Sequence, residues 1–233
     1  MSFSTLYFDL DDTLYSHENG LWAAIRNRMG LYMAEKLGLP QDQIPEIRRV
    51  YYQTYGTTLR GLQKHHQVDA DDYLQYVHDL PLESYIQPNP ALRQMLLGLP
   101  QRRFIFTNAD DAHAWRVMEV LGVSDCFEDV IDVRKIEFAC KPESIAYQRL
   151  LALTNNPDPH CCVMLDDSPS NLAAARQIGF TTVLVGADGP ADGQDGVSIP
   201  DILRLPHALP ELWQVDPAQP CQGNSDRDLS HDQ

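Results

Sequence analysis

The chain has 233 residues, with 33 acidic side chains against 18 basic ones and a formal net charge of −15. A hydrophobic fraction of 43% over this length is enough for a sizeable packed core, which excludes wholesale disorder. The acid excess argues against a sequence-independent binder of nucleic-acid polymers, which needs a basic face, but leaves room for a small anion held with the help of a cation.

Thr5 to Leu10 (TLYFDL) is a short apolar, β-prone run that stops at acidic residues, as a buried strand ending in a loop does. Leu21, Ile25, Met29, Met33 and Leu37 recur every four residues and so stack on one helix face, closed by Gly38 and Pro40. A second helix is expected from Pro45 to the Gly56 region, and Asp69 or Asp71 caps another carrying Tyr73, Leu74 and Val77. Asn89-Pro90 opens a helix through Leu97. Strands are then expected at Arg103–Thr107, Val130–Val133, Cys161–Leu165 and Thr181–Val185. The intervening helices start at Asp110 or Asp111, at Pro142 and at Ser168-Pro169.

Alternating strands and helices after Pro88 indicate an α/β fold, a doubly wound and mostly parallel sheet with a Rossmann-like core. The helical stretch after the first strand reads as an inserted helical cap domain. The expected division is residues 1–14 and 87–213 for the core, 15–86 for the cap, and a disordered polar tail at 214–233. No apolar run is long enough to span a bilayer, and Met1 to Thr5 lacks the features of a signal peptide. The five cysteines (Cys126, Cys140, Cys161, Cys162, Cys221) are odd in number and have no metal-site spacing. Reduced, mostly buried thiols in a cytoplasmic protein are expected.

Ligands of open α/β sheets bind beyond the carboxyl ends of the strands. There the first strand delivers Asp9-Leu10-Asp11-Asp12-Thr13, the second Thr107-Asn108 and the fourth Asp166-Asp167-Ser168, while Lys141 precedes a helix start. Several carboxylates packed together repel unless a hard cation joins them, so the set suggests Mg²⁺ with a phosphate ester. Lys141 can neutralise phosphate oxygens, and Thr107 and amides near Asn108 can donate to them. At a strand end, Asp9 and Asp11 can reach one substrate, one as a carboxylate nucleophile and the other as a general acid and base. Acidic pairs at loop starts are more often turn residues or helix caps; the ordered set of four stations shifts that balance.

These residues carry a resemblance. Phe8-Asp9-Leu10-Asp11-Asp12-Thr13-Leu14, Thr107-Asn108, Lys141-Pro142 and Asp166-Asp167-Ser168 with Asn171 resemble the four motifs of the haloacid dehalogenase-like hydrolase superfamily, in its capped phosphatase branch. Tyr51-Tyr52, Tyr55 to Leu62 and Tyr76-Val77-His78-Asp79 resemble the pyrimidine 5′-nucleotidase family within it. The resemblance implies that Asp9 is the nucleophile and a Mg²⁺ ligand. It implies that Asp11 is the general acid/base and offers its backbone carbonyl to the metal. Thr107 and Asn108 then hold the phosphoryl group, Lys141 neutralises charge, Asp167 ligates the metal, and Asp166 is a second acidic residue at the metal, bound to it directly or through water. Dehalogenases of the superfamily lack an acid/base Asp at the station of Asp11, so its presence favours phosphoryl transfer.

The expected function is a Mg²⁺-dependent phosphomonoesterase acting on pyrimidine nucleoside 5′-monophosphates through an aspartyl-phosphate. The alternatives are a phosphatase or mutase for sugar phosphates or other small esters and, from another class, a catalytically silent nucleotide- or partner-binding protein. The expected partner is a small phosphate ester, with no nucleic-acid polymer and no membrane, for a monomer or homodimer. Arg60 either contacts the nucleotide or is a solvated arginine beside a helix end; the resemblance favours contact. Tyr51, Tyr52 and Tyr55 can stack on a base, although aromatics at helical spacing are more often core. His65-His66 reads as a surface turn, Trp22 as cap packing, Ser168 as an N-cap, and His113 as either near the substrate or on an exposed first turn.

Overall fold

The computed structural model of the chain describes residues 3–187 and 196–214. The tail expected to be disordered lies, from residue 215 on, outside the described residues. Six strands, β1 (Thr5–Phe8), β2 (Arg102–Phe106), β3 (Asp129–Ile131), β4 (Cys162–Asp166), β5 (Thr181–Val185) and β6 (Val197–Ile199), form one sheet in the order β3-β2-β1-β4-β5-β6. Every neighbouring pair is parallel. A parallel sheet is covered on both faces, which is why β1 and β4 are buried along their whole length and read as continuous apolar runs. Alternate residues serve opposite faces: Leu6 and Phe8 of β1 join one core cluster, and Tyr7 joins the other.

Helices cover both faces. The first face packs against α5 (Pro90–Leu97) and α6 (Asp111–Leu121) through Leu92, Leu96, Val117 and Leu121. The second packs against α7 (Ser144–Leu153) and α8 (Pro169–Gln177) through Ala146, Tyr147, Leu150 and Leu172. Helix starts follow local chemistry. Asn89 accepts from the Leu92 amide ahead of Pro90, and Asp110 accepts from the His113 amide. Ser168 holds the N-cap position of α8, but its hydroxyl bonds Ser170 Oγ and makes no capping bond.

Between β1 and α5 stand α1 (Leu21–Glu35), α2 (Ile44–Tyr55), α3 (Thr58–His66) and α4 (Ala70–His78). They enclose a third core cluster built on Tyr32, Met33, Ile44, Leu62 and Tyr73. Helix α1 joins two cores, because Leu21 and Ile25 in its first turns belong to the sheet-side cluster. Helices α2 and α3 meet closely: a Cβ on Gly61 would fall 2.2 Å from the Tyr51 ring.

Three expectations need correction. His65 and His66 end α3 and do not form a surface turn; Thr57 caps that helix through the Arg60 amide, and the two imidazoles bond the hydroxyls of Tyr55 and Tyr51. The edge strand β6 was not anticipated, since three residues are too few to establish a period. Cys126, Cys140 and Cys162 are free and buried, but Cys161 is disulfide-bonded, contrary to a full set of reduced thiols. Among the described residues no helix is long and apolar enough to cross a membrane.

Candidate active site

The strand order reverses at β1, with β2 on one side and β4 on the other. Such a switch point opens a crevice at the carboxyl ends of the strands. Register sets the depth of each residue in it: Phe8 is level with Ile105 and with Leu165, so Asp9 and Asp166 emerge side by side. After β1 the chain turns at once. Asp12 takes a left-handed conformation with φ 60°, and the Leu14 amide donates to the Leu10 carbonyl at 3.0 Å. This one-turn wrap brings residues four apart together. Thr13 Oγ1 donates to Asp9 Oδ2 at 3.3 Å, and Tyr15 OH donates to Asp11 Oδ1 at 2.5 Å.

Lys141 is 2% exposed, and its ammonium donates to Asp9 Oδ1 at 2.7 Å, Asp166 Oδ2 at 2.8 Å and the Phe106 carbonyl at 2.8 Å. Asn108 clasps the same segment: its Oδ1 accepts from the Lys141 amide at 2.9 Å and its Nδ2 donates to the Lys141 carbonyl at 3.1 Å. Thr107 Oγ1 accepts from the Ala109 amide at 3.0 Å, which orders the loop after β2. Asp166 spends its other oxygen on the Ser168 amide and Asn171 Nδ2, both at 2.9 Å.

Asp9, Asp166 and Asp167 place one carboxylate oxygen each within 4.8 Å of one another. Three carboxylates against one ammonium leave the cluster net negative. Burial, then the charges of Asp166 and Asp167, push the Asp9 carboxyl well above its ordinary value even though Lys141 pulls it down. Asp167 rises to about 6, by burial first and the Asp166 charge second. Burial would lower Lys141, but the charges of Asp166 and Asp9 outweigh it and hold the ammonium charged. An all-oxygen donor set with excess negative charge suits a hard divalent cation. Asp167 is the member with free oxygens, whereas both oxygens of Asp166 already accept protein donors.

Asp11 is set differently. Burial alone would raise it; the charge of His113 and hydrogen bonds from His113 and Tyr15 outweigh burial and hold its carboxyl below the ordinary range. His113 Nε2 lies 2.9 Å from Asp11 Oδ1. Thus His113, on the first turn of α6, is not exposed: its side chain is fully buried against Asp11. His78, at the end of α4, stacks on it and places Nδ1 3.2 Å from Asp110 Oδ1.

A cleft of about 570 Å³ lies between the sheet edge and the helical block. Asp9, Asp11, Thr107, Asn108, Lys141 and Asp167 all line it. Trp22, Tyr52, Thr58 and Tyr73 line it from the cap side. Of the three clustered tyrosines only Tyr52 does so. Arg60 is not brought into this lining, a departure from the expected nucleotide contact. Its guanidinium is held by Glu143 Oε1 at 2.7 Å and Cys140 Sγ at 3.0 Å, tying α3 to the segment that carries Lys141. Sequence reading missed the hydroxyls of Thr13 and Tyr15. Their spacing of four from Asp9 and Asp11 was the available signal, legible only if the loop is known to wrap as a helical turn. The pairing of His78 with His113 had no local signal.

Residues 3–179 match the haloacid dehalogenase-like hydrolase family. Phosphate metabolism protein 8 of Saccharomyces cerevisiae is 28% identical over 194 residues, covering 76% of this chain and 60% of that protein. The chain therefore matches less than two thirds of that curated relative's length. Among solved structures, the magnesium-bound HAD-hydrolase YfnB of Bacillus subtilis has a TM-score of 0.61 at 16% identity, covering 89% of this chain and 98% of its own. A HAD phosphatase from Thermococcus onnurineus has a TM-score of 0.56 at 20% identity, covering 88% and 96%. At such identities the likeness is one of fold.

Proposed function

The chain belongs to the haloacid dehalogenase-like hydrolase family, and from that membership we propose that it is a Mg²⁺-dependent phosphomonoesterase working through an aspartyl-phosphate on Asp9. The observation that carries the reading is the convergence of Asp9, Asp11, Lys141 and Asp167 on one cleft at the strand-order reversal.

In the first step a carboxylate oxygen of Asp9 forms a bond to phosphorus while the bond from phosphorus to the leaving alkoxide breaks. Asp11, two residues on and in the same cleft, gives that alkoxide the proton that it regains from water in the second step of each cycle. In the second step Asp11 takes a proton from water as the water oxygen bonds phosphorus, and the Asp9–phosphorus bond breaks to release phosphate. Lys141 favours the ionised form of Asp9 by direct contact at 2.7 Å, against burial and the neighbouring acids, and offers positive charge to the phosphoryl oxygens. Thr107 and the amides after β2 hold those oxygens, while Asn108 fixes Lys141 through its backbone. Asp9, Asp167 and the carbonyl of Asp11 would hold the magnesium ion, with Asp166 reaching it through water. The ion supplies charge neutralisation between the carboxylates and the phosphoryl group.

The preferred substrate is a nucleoside 5′-monophosphate with a pyrimidine base. The resemblance of the cap residues to pyrimidine 5′-nucleotidases supports this, as does the aromatic lining from Trp22 and Tyr52 on the cap side of the cleft. Similarity to Phosphate metabolism protein 8 fits the same class of chemistry. The test is phosphate release from UMP, CMP, AMP, GMP and sugar phosphates, with Mg²⁺ and with chelator, and with Asp9→Asn as control. Metal-dependent release led by UMP or CMP and lost in Asp9→Asn supports the reading. Release led by sugar phosphates keeps the chemistry and overturns the substrate; no release from any ester overturns both.

A further inference from the structure

The cap wall of the cleft carries donors that the chemistry at the sheet edge does not use. Arg48, on α2, donates through Nη1 to the Arg26 carbonyl at 2.9 Å and through Nη2 to Met29 Sδ at 3.5 Å; its Nε is buried with no hydrogen-bond partner. Tyr73, on α4, is 2% exposed and its hydroxyl is likewise buried without a partner. Both residues line the cleft, together with Arg26 from α1. Among the described residues neither Arg26 nor Arg48 has a carboxylate in ion-pair contact. In contrast, Arg28, Arg49, Arg60, Arg93 and Arg102 each have one. Arg103 and Arg116 also lack an acid, but backbone carbonyls hold their guanidiniums, whereas Arg48 keeps an unmatched Nε beside Arg26.

The chemistry of these groups limits what they can meet. A guanidinium donates only and accepts nothing. A buried donor left unmatched is costly, and two like charges side by side add to that cost. Burial, opposed by Tyr73 and aided by the charge of Arg26, lowers the guanidinium of Arg48 from its ordinary value, the direction expected when a cation lacks its anion. An anionic oxygen group resolves all of these at once, through charge-assisted hydrogen bonds.

We propose that Arg26, Arg48 and Tyr73 form a subsite for a second anionic group, so that the preferred substrate is a phosphate monoester whose alcohol part carries a carboxylate or a further phosphate. The reacting phosphoryl group is served from the sheet edge by Lys141 and Thr107, and the subsite grips the substrate at its other end. For a nucleotide, the second group sits on the ribose as a phosphate or on the base as a carboxylate. The proposal rests on the phosphomonoesterase reading.

The experiment compares esters that differ only in the second anion: UMP, uridine 3′,5′-bisphosphate and orotidine 5′-monophosphate. The readout is each ratio of kcat/KM to that of UMP. The expected result is a ratio of at least about tenfold for one of the two. Arg48→Gln should collapse that ratio toward one, and Tyr73→Phe, which keeps the ring packing, should lower it about threefold. Which ester leads tells phosphate from carboxylate. Equal losses on all three esters in Arg48→Gln would assign Arg48 to the reacting phosphoryl group and overturn the subsite, as would a wild-type ratio of one. Calorimetric titration of Asp9→Asn, with and without Arg48→Gln, separates the two readings. Tighter binding of a doubly anionic ester that depends on Arg48, with no turnover of any ester by the wild type, keeps the subsite and removes the hydrolase. Turnover of UMP with equal binding of all three esters keeps the hydrolase and removes the subsite.

Discussion

His78 and His113 stack across the boundary between the helical cap and the sheet core, with ring centroids 4.1 Å apart and planes 14° from parallel. His113 in turn holds Asp11 at 2.9 Å, and His78 faces Asp110 at 3.2 Å. Burial and the charge of His113 lower His78, which outweighs the pull of Asp110. The carboxylate assigned to proton transfer is thus oriented by an imidazole whose other face is covered by the cap. His113→Ala is expected to lower kcat about tenfold to a hundredfold with little change in KM, because it releases Asp11 without touching substrate. His113→Asn, which can still donate, should recover part of the loss. Steady-state kinetics with UMP read both numbers, and an unchanged kcat in His113→Ala would show that the contact is not used.

Lys141 is the cation that makes a buried acidic cluster tolerable. Lys141→Met leaves Asp9 and Asp166 buried without it, and breaking such a buried pair costs about 3–5 kcal/mol. Urea unfolding should show this loss, and millimolar Mg²⁺ should restore part of it by replacing the missing charge. A loss under about 1 kcal/mol would mean the carboxylates accept protons readily instead.

The pH dependence follows from Asp167. Its carboxyl sits at about 6 in the folded chain, above the ordinary 3.8, through burial and the neighbouring Asp166 charge. A raised acid is a penalty in its ionised form. That penalty is absent below the ordinary value, builds as pH rises between the two, and is complete above about 6. Asp167 is an exposed residue, so screening by solvent reduces the effect to about 1 kcal/mol. Asp167→Asn should therefore raise the Tm of the metal-free protein by about 2–4 °C at neutral pH, with the gain vanishing near pH 4. Mg²⁺ should raise the wild-type Tm at neutral pH and do much less for the variant. A gain that grows on acidification would contradict this account.

Gly56 ends α2 with φ 84°, and a Cβ there would fall 2.4 Å from Cys140 Sγ. Gly56→Ala is expected to destabilise by about 2 kcal/mol, from backbone strain and overlap together. Cys140→Ala in the same background removes the overlap and should recover about half. A double-mutant cycle in denaturant measures the coupling, and strict additivity would show that only the backbone matters.

Much of this fold is legible because its signals are local. A continuous apolar run such as TLYF or CVML marks a strand buried on both faces, and the acid that stops it marks the carboxyl end. Asn89-Pro90 and Asp110 mark helix starts for equally local reasons. Helix α3 was hidden because Gly56-Thr57-Thr58 reads as a loop and Gly61 weakens the period, although Gly61 is there to admit the Tyr51 ring. The placement of Arg60 was illegible too, since its partners Cys140 and Glu143 lie about eighty residues on.

The sequence by itself determined which residues stand at the ends of β1, β2 and β4 and which lysine precedes a helix start, and hence that Asp9, Asp11, Thr107, Asn108, Lys141, Asp166 and Asp167 could share one edge. Hydrophobic runs, caps and turn residues act over a few positions and need no knowledge of the rest of the chain. Only the tertiary structure decided the partners: Lys141 between Asp9 and Asp166, His113 on Asp11, Arg60 drawn to Glu143, and Arg48 and Tyr73 beside the cleft, each with one buried donor unmatched. These depend on strand register and on how the helical block docks over the sheet, which bring together side chains as far as 132 residues apart and which no local pattern encodes.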